Sequence, residues 1–211
     1  MTPSGTGGLA AARSWSTIRA MDFSFRFDLW LALLRRSPRD AGSVELCVLR
    51  TAKGERKVVE RLALTPERGI EGDRWLTDPH RREGNQVSLM NAHVLRSLAG
   101  AEPARQALAG DNLIVDLDLS EANLPVGTRL HVGACVLEIT PDPHRPCRLF
   151  EARYGVGAVK RVNRGNARGL RARGVLARCV RGGAIARGDR IDVHRPVADE
   201  SRPATAAGRA R

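Results

Sequence analysis

The chain has 211 residues, 42% of them hydrophobic and 4% aromatic, enough for one well-packed core of ordinary soluble composition. Its four cysteines form no CxxC pair and no stretch resembles a cleavable secretory signal, which points to a reduced, cytoplasmic setting. The formal charge of +12 is uneven: residues 145–211 carry 17 basic and 5 acidic side chains, whereas residues 1–144 carry 18 of each. Arginine forks of this kind suit phosphate or carboxylate groups, so a small anionic molecule or an acidic partner is expected. Nucleic acid is disfavoured, because after Cys147 the only aromatic residues are Phe150 and Tyr154.

Residues 1–20 are rich in Gly, Ala, Ser and Arg without an acid, and they predict a disordered extension with Met21 as an alternative start. Residues 1–30 are assigned to that extension, 31–196 to a single domain and 197–211 to a disordered tail. A short amphipathic helix is predicted over 27–34, too short and too flanked by charge to span a membrane. From Ser43 the pattern becomes β. Ser43–Arg50 and Arg56–Leu64 predict a hairpin across Thr51–Glu55. Further strands are expected at 86–90, 112–117, 128–132, 135–140, 175–180 and 189–194. Helices are expected at 92–98 behind the capping Asn91, at 104–109 and at 156–163. Many short strands with glycine turns predict a mainly β fold, a closed or partly closed β-barrel with a few short helices. No P-loop or dinucleotide fingerprint occurs.

Cys147 is the candidate chemical centre. It ends the segment Pro141-Asp142-Pro143-His144-Arg145-Pro146-Cys147, whose prolines keep the backbone out of a helix or sheet ladder. Its neighbours His144, Arg145 and Arg148 favour the nucleophilic thiolate. Cys47, Cys135 and Cys179 lie in apolar β-type runs and read as core. The run Arg161–Gly174 reads as a glycine-punctuated basic loop, a phosphate cradle or a plain solvated loop, with Asn163, Arg168, Arg171 and Arg173 as candidate contacts. Asp73 and Arg74 sit behind glycines, where Asp73 either orients a ligand or closes a turn. Asp111 and Asn112 are either ligand contacts or strand-entry caps. His144 either tunes Cys147 or closes the loop. His80, His93, His131 and His194 lack metal-ligand spacing.

Taken in order, Ser37–Gly42, Gly69–Trp75, Gln86–Asn91, Ala109–Leu113, Asp116–Pro125, Pro143–Cys147 and Gly188–Ile191 resemble the MOSC domain, named for the C-terminal domain of molybdenum cofactor sulfurases. The resemblance runs from about Leu31 to Val193 and is that of a stand-alone bacterial member. It implies a barrel of the MOSC, pyruvate-kinase-barrel-like kind, in which Cys147 carries sulfur or ligates molybdenum in a pterin cofactor. It further implies sulfur transfer or reduction of N-hydroxylated compounds, with a sulfur donor or redox protein as partner. The relatives usually carry glycine where Pro146 stands. No aminotransferase-like domain with a Schiff-base lysine is present, so pyridoxal phosphate is not expected in this chain. The alternatives are a cofactor-free persulfide carrier or thiol enzyme, and a non-enzymatic anion- or nucleic-acid-binding barrel.

Overall fold

A computed structural model describes residues 36–197. The helix expected over 27–34, and the terminal extensions up to residue 35 and from residue 198, lie outside the described residues. The described residues form eleven strands: β1 (Ala41–Leu49), β2 (Lys57–Val59), β3 (Arg61–Thr65), β4 (Gly69–Ile70), β5 (Val87–Asn91), β6 (Leu113–Asp116), β7 (Arg129–Val132), β8 (Cys135–Ile139), β9 (Val175–Arg181), β10 (Gly183–Ala186) and β11 (Arg190–His194). Three α-helices accompany them: α1 (Ala92–Ala99), α2 (Pro103–Ala107) and α3 (Arg148–Asn166).

The main sheet runs β11-β7-β8-β9-β5-β6-β1, and β1 pairs back onto β11 to close a seven-stranded barrel, with β2 added outside β1. Only β5 and β6 are parallel, and α1 and α2 lie in the connection between them. The expected closed β architecture is present. Alternation along the strands fills two cores. Leu113 and Val115 of β6 join Val44, Leu89, Leu137 and Ile191 inside the barrel, while Ile114 faces outward to meet Met90, Leu95, Phe150 and Val162 beneath the helices. A register shift between Val44 and Leu46 switches the face that β1 residues take, so that Val44 and Cys47 point into the barrel and Leu46 and Val48 outward.

The hairpin β1–β2 forms with Cys47 opposite Val59. The single strand expected over 56–64 instead breaks at Glu60, because β2 pairs with β1 while β3 leaves to join β10 and β4 in a separate three-stranded sheet. Asn91 caps α1 as expected, its side chain accepting from the backbone N–H groups of His93 and Val94. Helix α3 begins at Arg148, eight residues before the expected start, and kinks at Gly155, whose φ of 83° is non-helical. Among the described residues, no helix is long and apolar enough to cross a membrane.

Candidate functional site: the Cys147 cavity

The segment leaving β8 crosses the barrel end and delivers Cys147 as the residue immediately before α3, with an exposed thiol and no side-chain capping bond. Two prolines, Pro143 and Pro146, hold this segment extended, as the sequence implied. The other three cysteines are buried in the barrel core. Burial pushes the Cys47 and Cys135 thiols up to about 12, helped by Asp189 and by Cys179 respectively. Those three are packing residues, and Cys147 alone is offered to a ligand.

Cys147 opens on a cavity of about 280 Å³ lined by six arginines, Arg50, Arg56, Arg74, Arg81, Arg145 and Arg173, together with Trp75 and His144. Asp78 is the only acid on its wall, and it pairs with Arg74 at 2.9 Å. Arg56 has no acid within ion-pairing distance. Burial lowers its pKa, and the charges of Arg153, Arg74 and Arg50 lower it further. Gly110 makes room for it, since a Cβ there would lie 3.0 Å from Arg56 Nη2. Among the described residues, six buried side-chain polar atoms lack a hydrogen-bond partner, and four belong to this lining: Nε of Arg56, Arg74 and Arg173, and Nδ1 of His144. A fifth, Oδ1 of Asp111, lies just behind it. Unpaired buried donors are costly, and a cluster of them on cationic side chains is satisfied by an anion.

A second tier of residues holds these arginines. The Asp73 carboxylate is fully buried and accepts from Arg50 Nε and Nη2, Trp75 N and Asn112 Nδ2, all at 2.9 Å. The amide oxygen of Asn112 accepts in turn from the hydroxyl and backbone N–H of Ser88. Asp73 thus caps the 3₁₀ turn over Arg74–Thr77 and clamps Arg50; with every partner internal, neither Asp73 nor Asn112 is directed at a ligand. Behind them Arg173 donates to Asp111 Oδ2 at 2.6 Å and to the Ala109 carbonyl, with its guanidinium carbon 4.9 Å from the centre of the Phe150 ring. Burial pushes the Asp111 carboxyl above its ordinary value against the pull of Arg173.

His144 turns inward, with 14% of its side chain exposed and Nε2 3.6 Å from Asp111 Oδ1. Burial, then Arg173 and Arg50, hold its pKa well below the ordinary value. At neutral pH it is therefore uncharged, and it does not serve Cys147 as the cation that its sequence position suggested. The sign of the linkage follows. An unfolded histidine takes up a proton below about pH 6.5 while the folded one does not, so acidification removes stability. Between pH 6.5 and 5 the wild-type chain should lose about 1.4 kcal/mol per pH unit more than His144→Gln, until the folded histidine itself titrates. Urea denaturation of both proteins across that range checks this; parallel slopes would show that His144 is already charged in the fold.

The basic run splits. Arg161–Asn166 completes α3 rather than forming a loop. Asn163 and Arg168 are exposed and line neither this cavity nor the one adjoining it, whereas Arg171 lines the adjoining one and Arg173 this one. Arg74 and Arg145 line the Cys147 cavity, and Arg148 is exposed outside it. Arg50, Arg56, Arg81, Trp75 and Ser88 were not singled out by sequence. Their neighbourhood offered one faint signal, the cationic Arg74, Arg81 and Arg82 within residues 1–144, whose total charge is zero.

A seven-stranded barrel thus carries an exposed thiol on an arginine-lined cavity, concave in the way small-molecule pockets are. The MOSC domain family matches residues 76–192, more than half of the chain, and the protein belongs to that family. Among solved structures it is similar to the YuaD protein of Bacillus subtilis, with TM-score 0.54 and 19% identity over 74% of this chain and 97% of that one. It is also similar to YiiM from Escherichia coli, with TM-score 0.50 and 18% identity over 74% of this chain and 72% of that one. YiiM from Geobacillus stearothermophilus gives 0.51 and 14% over 72% and 74%. At these identities the likeness concerns the fold. No curated protein sequence matches the chain.

Proposed function

We propose that this MOSC protein is linked to the molybdenum cofactor, with Cys147 as thiolate ligand or sulfur carrier and the arginine cavity as the seat of the cofactor's anionic end. One observation carries the reading: an exposed thiol shares a cavity with six arginines, and Nε of three of them is buried without a partner. The donor set fits the group. A thiolate is the protein ligand that a soft, thiophilic metal centre selects, and guanidinium forks match phosphate. Arg56, Arg81 and Arg145, which have no acid partner in this cavity, would bind the anionic end, while Arg50 and Arg74 are fixed in place by Asp73 and Asp78. When bound, the cofactor would supply sulfur-transfer or oxygen-atom-transfer chemistry. The protein's own residues orient the ligand and present Cys147 Sγ from a stiff loop.

Elemental analysis tests this on protein purified anaerobically from a host that makes the cofactor. Near-stoichiometric molybdenum is expected in the wild type, falling at least tenfold in Cys147→Ser, because a thiolate bond is lost outright. Absence of metal from both overturns the cofactor reading. A mass increase of about 32 Da on Cys147, one added sulfur, would then identify a cofactor-free persulfide carrier.

A further inference from the structure

A second cavity of about 510 Å³ adjoins the first, and the two share His144, Arg145 and Leu176 as a common wall. The segment that ends in Cys147 is therefore a partition with a ligand-sized space on either side. The two spaces differ in charge. Against six arginines and one aspartate in the Cys147 cavity, the second has Arg145 and Arg171 balanced by Glu121 and Asp142. His144 adds no charge at neutral pH.

Two of the four charged groups of the second cavity are held in place. Asp142 faces Arg82 at 3.5 Å and packs on Gly84, where a Cβ would meet Asp142 Oδ2 at 2.6 Å. Arg171 donates Nη1 to the Leu124 carbonyl at 2.6 Å. Its backbone φ of 44° is the only positive value at a non-glycine among the described residues, so its position is fixed by the surrounding chain and not by local preference. Between these charges, Pro125, Val126, Pro141 and Pro143 supply an apolar wall, and at the partition the buried Nδ1 of His144 has no partner. Charges that balance, two of them internally engaged, give a free ion little reason to leave water, whereas an apolar wall with one unsatisfied polar atom suits an uncharged organic molecule.

We propose that the second cavity binds the protein's organic reactant as an uncharged molecule, its apolar body against Pro125, Val126 and Pro141 and its polar group at His144. The anionic component occupies the Cys147 cavity on the other side of the partition. The identity of the reacting chemistry rests on the function proposed above; the binding preference does not, because it needs neither metal nor Cys147.

Ligand-detected NMR titration of the full chain with benzamide, benzoate and benzylammonium, probes of one shape and three charges, tests the proposal. Benzamide should bind roughly tenfold tighter than either ion, as a modest desolvation difference gives. Added phosphate and Cys147→Ser should leave that binding unchanged. Val126→Trp, at a half-exposed position that tolerates bulk, should weaken benzamide roughly tenfold by filling the space. Arg171→Gly keeps the backbone, since glycine adopts this φ freely, and leaves two acids and one arginine in the lining, so the preference should move several-fold toward benzylammonium. Benzoate binding tightest, or displacement of benzamide by phosphate, overturns the proposal, because the probe would then sit in the basic cavity. Benzamide failing to bind, or a charge preference that Arg171→Gly does not move, overturns it equally. Molybdenum content is read separately, so loss of the cofactor reading and loss of this one are distinct results.

Discussion

Replacing Arg173 with methionine should destabilise the fold by about 3–5 kcal/mol, while Asp111→Leu/Arg173→Met should recover most of that loss. The reasoning starts from burial. Asp111 is fully buried, with Oδ2 2.6 Å from Arg173 Nη1 and Oδ1 lacking any hydrogen bond. Once the guanidinium is removed, the carboxylate keeps its desolvation cost without the contact that offsets it. The double variant removes both charges and fills the space with apolar volume beside Met90 and Phe150. The deficit of the single variant should also shrink on acidification. Burial already raises the Asp111 carboxyl above its unfolded value, and loss of Arg173 raises it further, so the folded state binds a proton that the unfolded state lacks. Lowering the pH from 7 to 5 should therefore narrow the gap to wild type. Relief of His144, which Arg173 helps hold down, acts in the same direction. Denaturant titration of the four proteins in this cycle measures the coupling directly. A single-variant loss under about 1 kcal/mol would mean that water reaches the pair and that Asp111 is not a buried anion.

The barrel was legible because its strands are two-faced. Leu113-Ile114-Val115 alternates between two apolar environments, and Val87-Ser88-Leu89 alternates between the barrel core and a polar face, so strand positions and closure followed from pattern and turn spacing. What escaped is what local pattern does not encode. The strand over 56–64 reads as one run, yet its halves serve two sheets, a division fixed by the distant partners β1 and β10. Strand β4 is two residues long, below any periodicity. The start of α3 was hidden because Arg148-Leu149-Phe150 follows a proline-rich loop, while Gly155 and Gly157 interrupt the helical pattern. The same limit applied to the site. Cys147 and its flanking cations stood out from local chemistry, but the charge excess of the last third pointed at Arg161–Gly174. Arg50 directly follows β1, Arg56 directly precedes β2, Arg74 opens a 3₁₀ turn and Arg81 lies beyond the end of that turn. They converge only because β1 pairs with β6 and Asn112 at its entry meets Asp73.

That meeting point yields the second large effect. Asp73→Ala should lower stability by about 3–5 kcal/mol, because it strips a charged partner from Arg50, leaves Trp75 N without an acceptor and leaves Asn112 Nδ2 only its longer bond to the Val48 carbonyl. It should also weaken phosphate binding in the Cys147 cavity, measured calorimetrically, by roughly tenfold, although no ligand touches Asp73. The reason is positional. Arg50 carries its charge to the wall only while the two-pronged contact holds it there, and an untethered arginine repelled by Arg56 and Arg74 moves toward solvent. Asp73→Asn separates the two contributions. The isosteric amide keeps one oxygen for the cap to Trp75 N but loses the bidentate ion pair, so it should recover part of the stability and little of the anion affinity. Equal recovery of both would mean that Asp73 serves the fold alone and that Arg50 finds the cavity without it.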